Sequence, residues 1–149
     1  MPTTPPCTNH DTGNIHSKRD WSDSEDFVNG IWLMLNQDKP KDYLLASGET
    51  HSIREFVEKA FHHAGFSKSE WVGEGVNEKL IHQSNGYKVN FVTVNPDFYR
   101  PAEVELLLGD PSEAKKIGWK PKMSFEEGLK KTFSWYLKNQ QYYSKLNKK

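Results

Sequence analysis

The sequence predicts a mixed α/β fold, because helix-start signals and strand-like apolar runs alternate along it. The helix starts are serine or aspartate residues with a glutamate three positions later, which is the spacing of a capping box. They are Ser22, Ser52, Asp110 and Ser124. The strand-like runs are residues 43–47, 71–72 and 87–94. This alternation is typical of a domain in which helices pack on a sheet.

The helix predicted to begin at Ser22 is amphipathic. Phe27, Ile31 and Leu35 recur at helical spacing, and Val28 and Trp32 lie beside them. An apolar stripe of this width is typical of a helix that packs against a sheet. We therefore expect this face of the helix to be buried.

The predicted strands differ in how they are covered. Residues 43–47 form a continuous apolar run, which is typical of a strand buried on both faces. Residues 87–94 alternate, with Val89 and Phe91 on one side, so this strand should have a polar face. Asn85-Gly86 in front of it is a hairpin-turn signal.

Length and composition predict one domain with a modest core. The chain has 149 residues, of which 35% are hydrophobic, and a fold of this size can bury a real core. Residues 1–12 are polar and rich in proline, so we expect a disordered lead-in there. The predicted domain covers residues 13–138, and residues 139–149 form a polar tail.

Charge and cysteine content exclude several function classes. The formal net charge is zero, so there is no electrostatic reason to expect a nucleic acid or an anionic membrane as a partner. No apolar run is long enough to cross a bilayer. The single cysteine, Cys7, fits a reducing compartment, so we expect a cytoplasmic protein. Cys7 and His10 have metal-ligand spacing, but no second pair completes a metal site.

Arginine is scarce, which draws attention to each of its positions. Arg19, Arg54 and Arg100 are the three arginines among twenty basic residues. Arg100 precedes Pro101 and should be extended, since a residue before proline is pushed out of the helical region. Arg54 is explained by a surface ion pair within its helix. For Arg19 and Arg100, ordinary carboxylate pairing or loop placement stays open as an alternative.

Four motifs then carry a family resemblance. They are Lys-Arg-Asp-Trp at residues 18–21, Gly-Glu-Thr-His-Ser-Ile-Arg-Glu-Phe-Val at 48–57, Arg-Pro-Ala-Glu-Val-Glu-Leu-Leu-Leu-Gly-Asp-Pro at 100–111 and Gly-Trp-Lys-Pro at 118–121. In this order they resemble the carboxy-terminal, substrate-binding part of GDP-mannose 4,6-dehydratase, an extended short-chain dehydrogenase/reductase. The resemblance implies that one helix and one strand, residues 43–47, remain from the Rossmann sheet. Their apolar faces would be uncovered.

The resemblance also implies a substrate site. Arg19 and Arg100 would clamp the diphosphate of GDP-mannose from two sides, since a guanidinium is a planar fork that binds phosphate bidentately. Glu103 would hold the nucleoside ribose. In the family, NADP takes a hydride from C4 of the sugar, water leaves across C5 and C6, and the hydride returns at C6.

Other family features are missing from the sequence. None of the ten glycines forms the glycine-rich turn of a dinucleotide site, and none of the six tyrosines has a lysine four residues on. No catalytic or cofactor-binding residue is therefore predicted. We expect a portion that is inactive alone and that requires a separate amino-terminal half or a complete homologous subunit. A non-catalytic nucleotide-sugar-binding or subunit-interaction module, and an inert remnant, are the alternatives.

Overall fold

The computed structural model describes residues 9–84 and 86–142. The strands in this part of the chain are β1 (His10–Thr12), β2 (Lys18–Arg19), β3 (His51–Ser52), β4 (Ser69–Val72), β5 (Lys79–Ser84), β6 (Tyr87–Val94) and β7 (Leu106–Leu107). The α-helices are α1 (Ser24–Leu35), α2 (Ile53–His63), α3 (Ser112–Lys116) and α4 (Phe125–Lys138). No described helix combines the length and hydropathy that a membrane span requires.

The chain divides into two compact units. Among the described residues, the first unit comprises residues 9–17, 52–84 and 86–105, and the second comprises residues 18–51 and 106–142. β3 lies where the chain passes from the second unit to the first.

The first unit is built on a four-stranded sheet of order β1-β6-β5-β4. β4 and β5, and β5 and β6, are antiparallel, whereas β1 runs parallel to β6. The core contains Leu80, Phe91 and Val92, with Val57 and Phe61 of α2 packed against them. The predicted strand at residues 87–94 is confirmed as β6, with Phe91 inside the unit and Asn90 outside, but the expected polar face ends there, because Val92 and Val94 on the Asn90 side are buried.

Two predictions fall at the edge of the described chain. β1 lies within residues 1–12, so the predicted lead-in is wrong for residues 10–12, which find a pairing edge on β6. Residues 1–8 and 143–149 lie outside the described residues. The predicted Asn85-Gly86 turn is described only at Gly86, whose φ of +82° suits glycine, because Asn85 also lies outside.

The second unit is organised around Trp119. This side chain is buried, stacks on Phe27 with ring centroids 6.3 Å apart, and donates its Nε1–H to the carbonyl of Asp26 at 2.8 Å. The Asp26 carboxylate, also buried, accepts from the backbone amides of Lys122 and Met123. β2 pairs in parallel with β7. The contacts of Trp119 and of the Asp26 carboxylate tie α1 to residues 118–123.

The predicted burial of the apolar stripe on α1 is wrong. Val28 is 64% exposed, Trp32 66% and Leu35 77%, whereas Asp26 and Gly30 are the buried residues of the helix. Among the described residues, no sheet covers the stripe. The alternative expectation, that a helix remaining from a larger sheet leaves its apolar face uncovered, is confirmed.

The predicted strand at residues 43–47 is also wrong. The structure assigns no strand there, although Ala46 is buried and packs closely against Gly109. An apolar run becomes a strand only when a neighbouring strand offers it hydrogen bonds. Leu44, two residues before Ala46, is exposed. The segment therefore has the composition of a buried strand but no neighbouring strand to pair with.

Capping signals were accurate within one or two residues. Ser52 caps α2 and Ser124 caps α4, the latter with a complete capping box. At α1, Asp23 accepts from the amide of Glu25, so the predicted cap at Ser22 is wrong by one residue. At α3, Pro111 occupies the cap position, but the side chain of Asp110 accepts from the Ser112 amide at 3.0 Å, as predicted. Boundary shifts of this size are typical where two capping residues stand side by side.

Candidate functional site

Arg100 lies in an exposed loop of the first unit. A 3₁₀ helix, Pro96–Phe98, ends just before it, and both backbone polar groups of Arg100 are bound by the side chain of Asn14. Within residues 9–84 and 86–142, the Arg100 guanidinium makes no hydrogen bond or ion pair. Glu103, three residues on, is half-buried. The loop therefore presents an exposed guanidinium that is available to an anion.

Arg19 lies at the end of β2 in the second unit. Its Nη1 donates to the carbonyl oxygen of Lys18 at 2.8 Å, and its side chain is half-buried. It lines a cavity of about 360 Å³ whose other walls are mostly apolar. The remaining lining residues are Asp20, Phe27, Leu44, Leu45, Ala46, Leu107, Leu108 and Gly109.

Asp20 organises the backbone beside Arg19. Its Oδ1 accepts from the Ser47 amide at 2.9 Å and from the Ser47 hydroxyl at 2.6 Å, and its Oδ2 accepts from the Gly48 amide at 2.9 Å. A carboxylate that accepts several hydrogen bonds is held in one orientation. The Arg-Asp motif therefore joins the end of β2 to residues 47–48.

The charge at the start of α1 is balanced within the second unit. Lys131 of α4 lies 3.2 Å from the Asp23 carboxylate and 2.8 Å from that of Glu25. These carboxylates, Glu25 first, raise the pKa of Lys131 above its ordinary value. The negative charge of Asp23 is thus neutralised by Lys131, which lies 108 positions along the chain.

The predicted ligands are divided between the units. Arg19 belongs to the second unit, whereas Arg100 and Glu103 belong to the first. Their convergence on one diphosphate stays a prediction.

A charged cluster in the first unit was missed from the sequence. Arg54 does pair with Glu58 at 3.1 Å, as expected, but it also donates to the carboxylate of Glu78, a buried residue. The other oxygen of Glu78 lies 2.7 Å from His16 Nε2. Glu78 is 24 residues from Arg54 and 62 from His16, so no local spacing signals the cluster.

The described residues do not fit a dinucleotide or a metal ion. A dinucleotide pyrophosphate needs free amides at a helix N-terminus that follows a glycine-rich turn. Here no described helix follows a glycine-rich turn, and one first-turn amide already donates to the side chain of Asp23 in α1, of Ser52 in α2 and of Ser124 in α4. Among the described residues, no three His, Cys, Asp or Glu side chains are grouped to hold a metal.

Comparison with known proteins decides the family. A family model described as GDP-mannose 4,6 dehydratase matches residues 7–132. This chain belongs to the GDP-mannose 4,6-dehydratase family. The resemblance that the four motifs carry is therefore confirmed.

Individual members of the GDP-mannose 4,6-dehydratase family show how much of the protein is present. The chain is 47% identical over 116 residues to GDP-mannose 4,6 dehydratase of Drosophila melanogaster, covering 77% of this chain and 29% of that protein. The human relative is 46% identical over 116 residues, with coverages of 77% and 30%. The chain thus spans about a third of the length of the curated relatives it matches.

Solved structures share the fold of the chain. RMD from Pseudomonas aeruginosa, complexed with NADPH, superposes with a TM-score of 0.61 at 20% identity, covering 85% of this chain and 35% of that one. UDP-glucose 4-epimerase from Thermotoga maritima, with UDP-glucose, gives a TM-score of 0.64 at 19% identity and coverages of 89% and 36%. The α/β fold is therefore that of part of an extended short-chain dehydrogenase.

Proposed function

We propose that this chain is the substrate-binding portion of a GDP-mannose 4,6-dehydratase and binds GDP-mannose. The observation that carries the proposal is the exposed guanidinium of Arg100, which has no partner among the described residues and stands in the family's Arg-Pro motif. Arginine at such a position can hold two phosphate oxygens at once.

Three residues share the binding in this proposal. Arg100 and Arg19 contact the diphosphate, and Glu103 accepts from hydroxyl groups of the guanosine ribose. Arg19 is supported by Asp20, whose three hydrogen bonds fix the backbone next to it. Each phosphorus of the diphosphate carries two non-bridging oxygens that share its negative charge, and an arginine fork can contact both at once, which a lysine cannot.

The chemistry of dehydration is supplied from elsewhere in this proposal. NADP, when bound in the family, accepts and returns the hydride, and a tyrosine with a nearby lysine moves the proton. This chain contributes neither the glycine-rich turn nor the Tyr-x-x-x-Lys pair. The cofactor-binding part must therefore come from the same polypeptide or from another chain. Its expected location is cytoplasmic, which stays a prediction.

The exposed face of α1 is the contact surface that the proposal assigns to this cofactor-binding part. Val28, Ile31, Trp32 and Leu35 together form a contiguous apolar stripe on one side of the helix. Stripes of this size on soluble proteins mark interaction sites. The same face supports the second candidate function, a subunit-interaction module without catalysis.

Calorimetric titration with GDP-mannose tests the binding proposal. Arg100→Ala should weaken the affinity by about 2 kcal/mol, since a bidentate charge-assisted contact is lost. Arg100→Lys should recover part of that loss, because the charge returns without the fork. Lys88→Ala, which removes an exposed cation of the same unit, should bind as the unaltered chain does. Equal affinity of Arg100→Ala and the unaltered chain would contradict the proposal.

Reconstitution tests the division of labour. The chain alone should show no turnover of GDP-mannose with NADP. Mixing it with the cofactor-binding part of a family member should restore formation of GDP-4-keto-6-deoxymannose. Binding of that part without turnover would favour the subunit-interaction module, and neither binding nor turnover would favour an inert remnant.

A further inference from the structure

The carboxamide of Asn14 forms hydrogen bonds with both backbone polar groups of Arg100. Asn14 Nδ2 donates to the Arg100 carbonyl oxygen at 2.9 Å, and Asn14 Oδ1 accepts from the Arg100 amide at 2.8 Å. A primary amide carries an acceptor beside its donors, so it can pair with one residue as a neighbouring strand would. The two residues are 86 positions apart, and the contact is therefore tertiary.

These two hydrogen bonds matter because the Arg100 loop has few other backbone hydrogen bonds. Pro101 has no N–H and cannot donate. Among the described residues, no backbone–backbone hydrogen bond involves Arg100. Tyr99 before it donates only to the carbonyl of Pro96, which closes the 3₁₀ helix. The direction in which Arg100 projects is thus set largely by Asn14.

Asn14 is itself held firmly by the rest of the first unit. Ile15, the next residue, is buried, and its carbonyl accepts from the Arg54 amide at 2.8 Å. His16 follows and lies 2.7 Å from the buried carboxylate of Glu78. Because its neighbours Ile15 and His16 are held in place, Asn14 can hold the residue that it binds. The Arg100 loop is thereby linked to α2 through Asn14 and Ile15.

Gly13 adds a steric match to the same contact. A Cβ at Gly13 would lie 2.5 Å from the carbonyl oxygen of Phe98. No side chain fits there, so the backbone at Gly13 passes directly over the 3₁₀ helix before Arg100. Both residue types of the Gly13-Asn14 pair are therefore needed. Glycine allows the close approach to the Phe98 carbonyl, and asparagine forms the two hydrogen bonds to the Arg100 backbone.

We propose that Asn14 is a positioning residue that holds Arg100 for its contact with the diphosphate of a nucleotide sugar. The inference rests on the proposed function of Arg100. Asn14 acts through the Arg100 backbone and contacts no substrate. A bidentate phosphate contact depends on the orientation of the fork, and misplacement by about 1 Å can be as damaging as removal of the group.

The first experiment tests, without any ligand, whether Asn14 holds the Arg100 backbone. In Asn14→Ala, amide hydrogen exchange at Arg100 should accelerate about tenfold, and its Nε should become more mobile by heteronuclear NMR relaxation. Amides of β5 and β6 should be unaffected. Asn9→Ala is the matched control, because it removes an amide with two side-chain hydrogen bonds in the same unit and none to Arg100. Unchanged exchange at Arg100 in Asn14→Ala would overturn the proposal.

The second experiment is a double-mutant cycle on GDP-mannose affinity. Asn14→Ala should weaken binding roughly fivefold to tenfold in the unaltered background and have no further effect in the Arg100→Ala background. Asn14→Asp keeps the acceptor for the Arg100 amide but opposes the Arg100 carbonyl, so it should fall between the two. Equal losses in both backgrounds would mean that Asn14 only supports the unit, and would overturn the proposal.

The two experiments separate this inference from the function it rests on. If the unaltered chain does not bind GDP-mannose, the proposed function fails, and the exchange measurement alone decides whether Asn14 positions Arg100. If binding occurs and Arg100→Ala abolishes it while Asn14→Ala matches the unaltered chain, the function stands and the positioning role is overturned.

Discussion

Arg54 Nη1 lies 3.1 Å from Oε2 of Glu78, a carboxylate whose side chain is only 6% exposed. The guanidinium of Arg54 also lies over the indole of Trp71, 5.1 Å from its centroid, and the other carboxylate oxygen of Glu78 meets His16. One buried carboxylate therefore joins the first turn of α2, the start of β5 and the segment that carries Asn14.

Neutralising Glu78 should destabilise the first unit. Glu78→Gln leaves the Arg54 charge facing a neutral amide, and hydrogen bonds to charged groups are worth about 1.5–3 kcal/mol. We expect a loss of that size in urea unfolding, together with faster amide exchange in β5 and β6. Glu58→Gln is the matched control, because it removes the more exposed carboxylate that pairs with the same arginine, and should cost less than about 1 kcal/mol. Similar losses in the two variants would contradict the assignment of Glu78 as the structural partner.

Two glycines in helices should respond oppositely to alanine. A Cβ at Gly30 of α1 would lie 2.7 Å from Leu45 Cδ1 and 2.8 Å from Trp119 Nε1, whereas at Gly128 of α4 nothing lies within 4 Å. Gly30→Ala should destabilise the chain by about 1–3 kcal/mol through overpacking. Gly128→Ala should stabilise it by roughly 1 kcal/mol through helix propensity. Thermal unfolding measures both, and stabilisation by Gly30→Ala would show that α1 is not packed as described.

The ion pairs of Glu113 should make stability depend on pH. Lys116 first, and then Lys41, lower the pKa of Glu113 from 4.5 to about 2. Because the folded pKa is the lower one, the ion pairs stabilise the fold above pH 4.5 and their contribution is lost as the pH falls toward 2. Glu113→Gln should lower the unfolding midpoint by roughly one to three degrees near neutral pH. The difference between the two proteins should vanish at the acidic end of this range.

Salt is the control for the Glu113 prediction. Exposed ion pairs are screened at high ionic strength, so the difference between the unaltered chain and Glu113→Gln should shrink there as well. A difference that persists at high salt and low pH would indicate that the glutamine perturbs α3 by another route.

Exposed aromatic surface on α1 should matter for association and not for folding. Trp32→Ser should change the free energy of unfolding by less than about 0.5 kcal/mol, since the side chain is largely in solvent. It should weaken binding to the cofactor-binding part of a family member, measured by calorimetry. Trp135→Ser, at an exposed tryptophan of α4, is the matched control and should bind normally. Equal binding by both variants would contradict the role of the α1 face.

The candidate ligands could be named from the sequence, but the contacts around them could not. Arg100 and Arg19 stand out because arginine is scarce and their motifs are those of the family. Asn14 binds the backbone of Arg100 from 86 positions away, and Asp20, next to Arg19, binds Ser47 and Gly48. Hydrogen bonds of that kind leave no periodicity or spacing in the sequence.

The fold shows the same division. Helix starts at Ser52 and Ser124 were predictable because a cap is a local contact over three residues. The strand at residues 87–94 was predictable because polar and apolar residues alternate from Lys88 to Phe91, which is a local pattern. The prediction at residues 43–47 was wrong because an apolar run indicates only that a segment suits a buried position. A strand forms only where a neighbouring strand is present to pair with it.

By itself, the sequence of this protein determined its helix starts, the alternation of β6 and the motifs that place it in its family, all of which depend on neighbours within a few positions. Only the tertiary structure decided that Asp26 and Gly30 form the buried side of α1, that Glu78 joins Arg54 to His16, and that Asn14 holds Arg100. Those outcomes depend on which distant segments meet, and contact between segments is settled by packing of the whole chain rather than by local pattern.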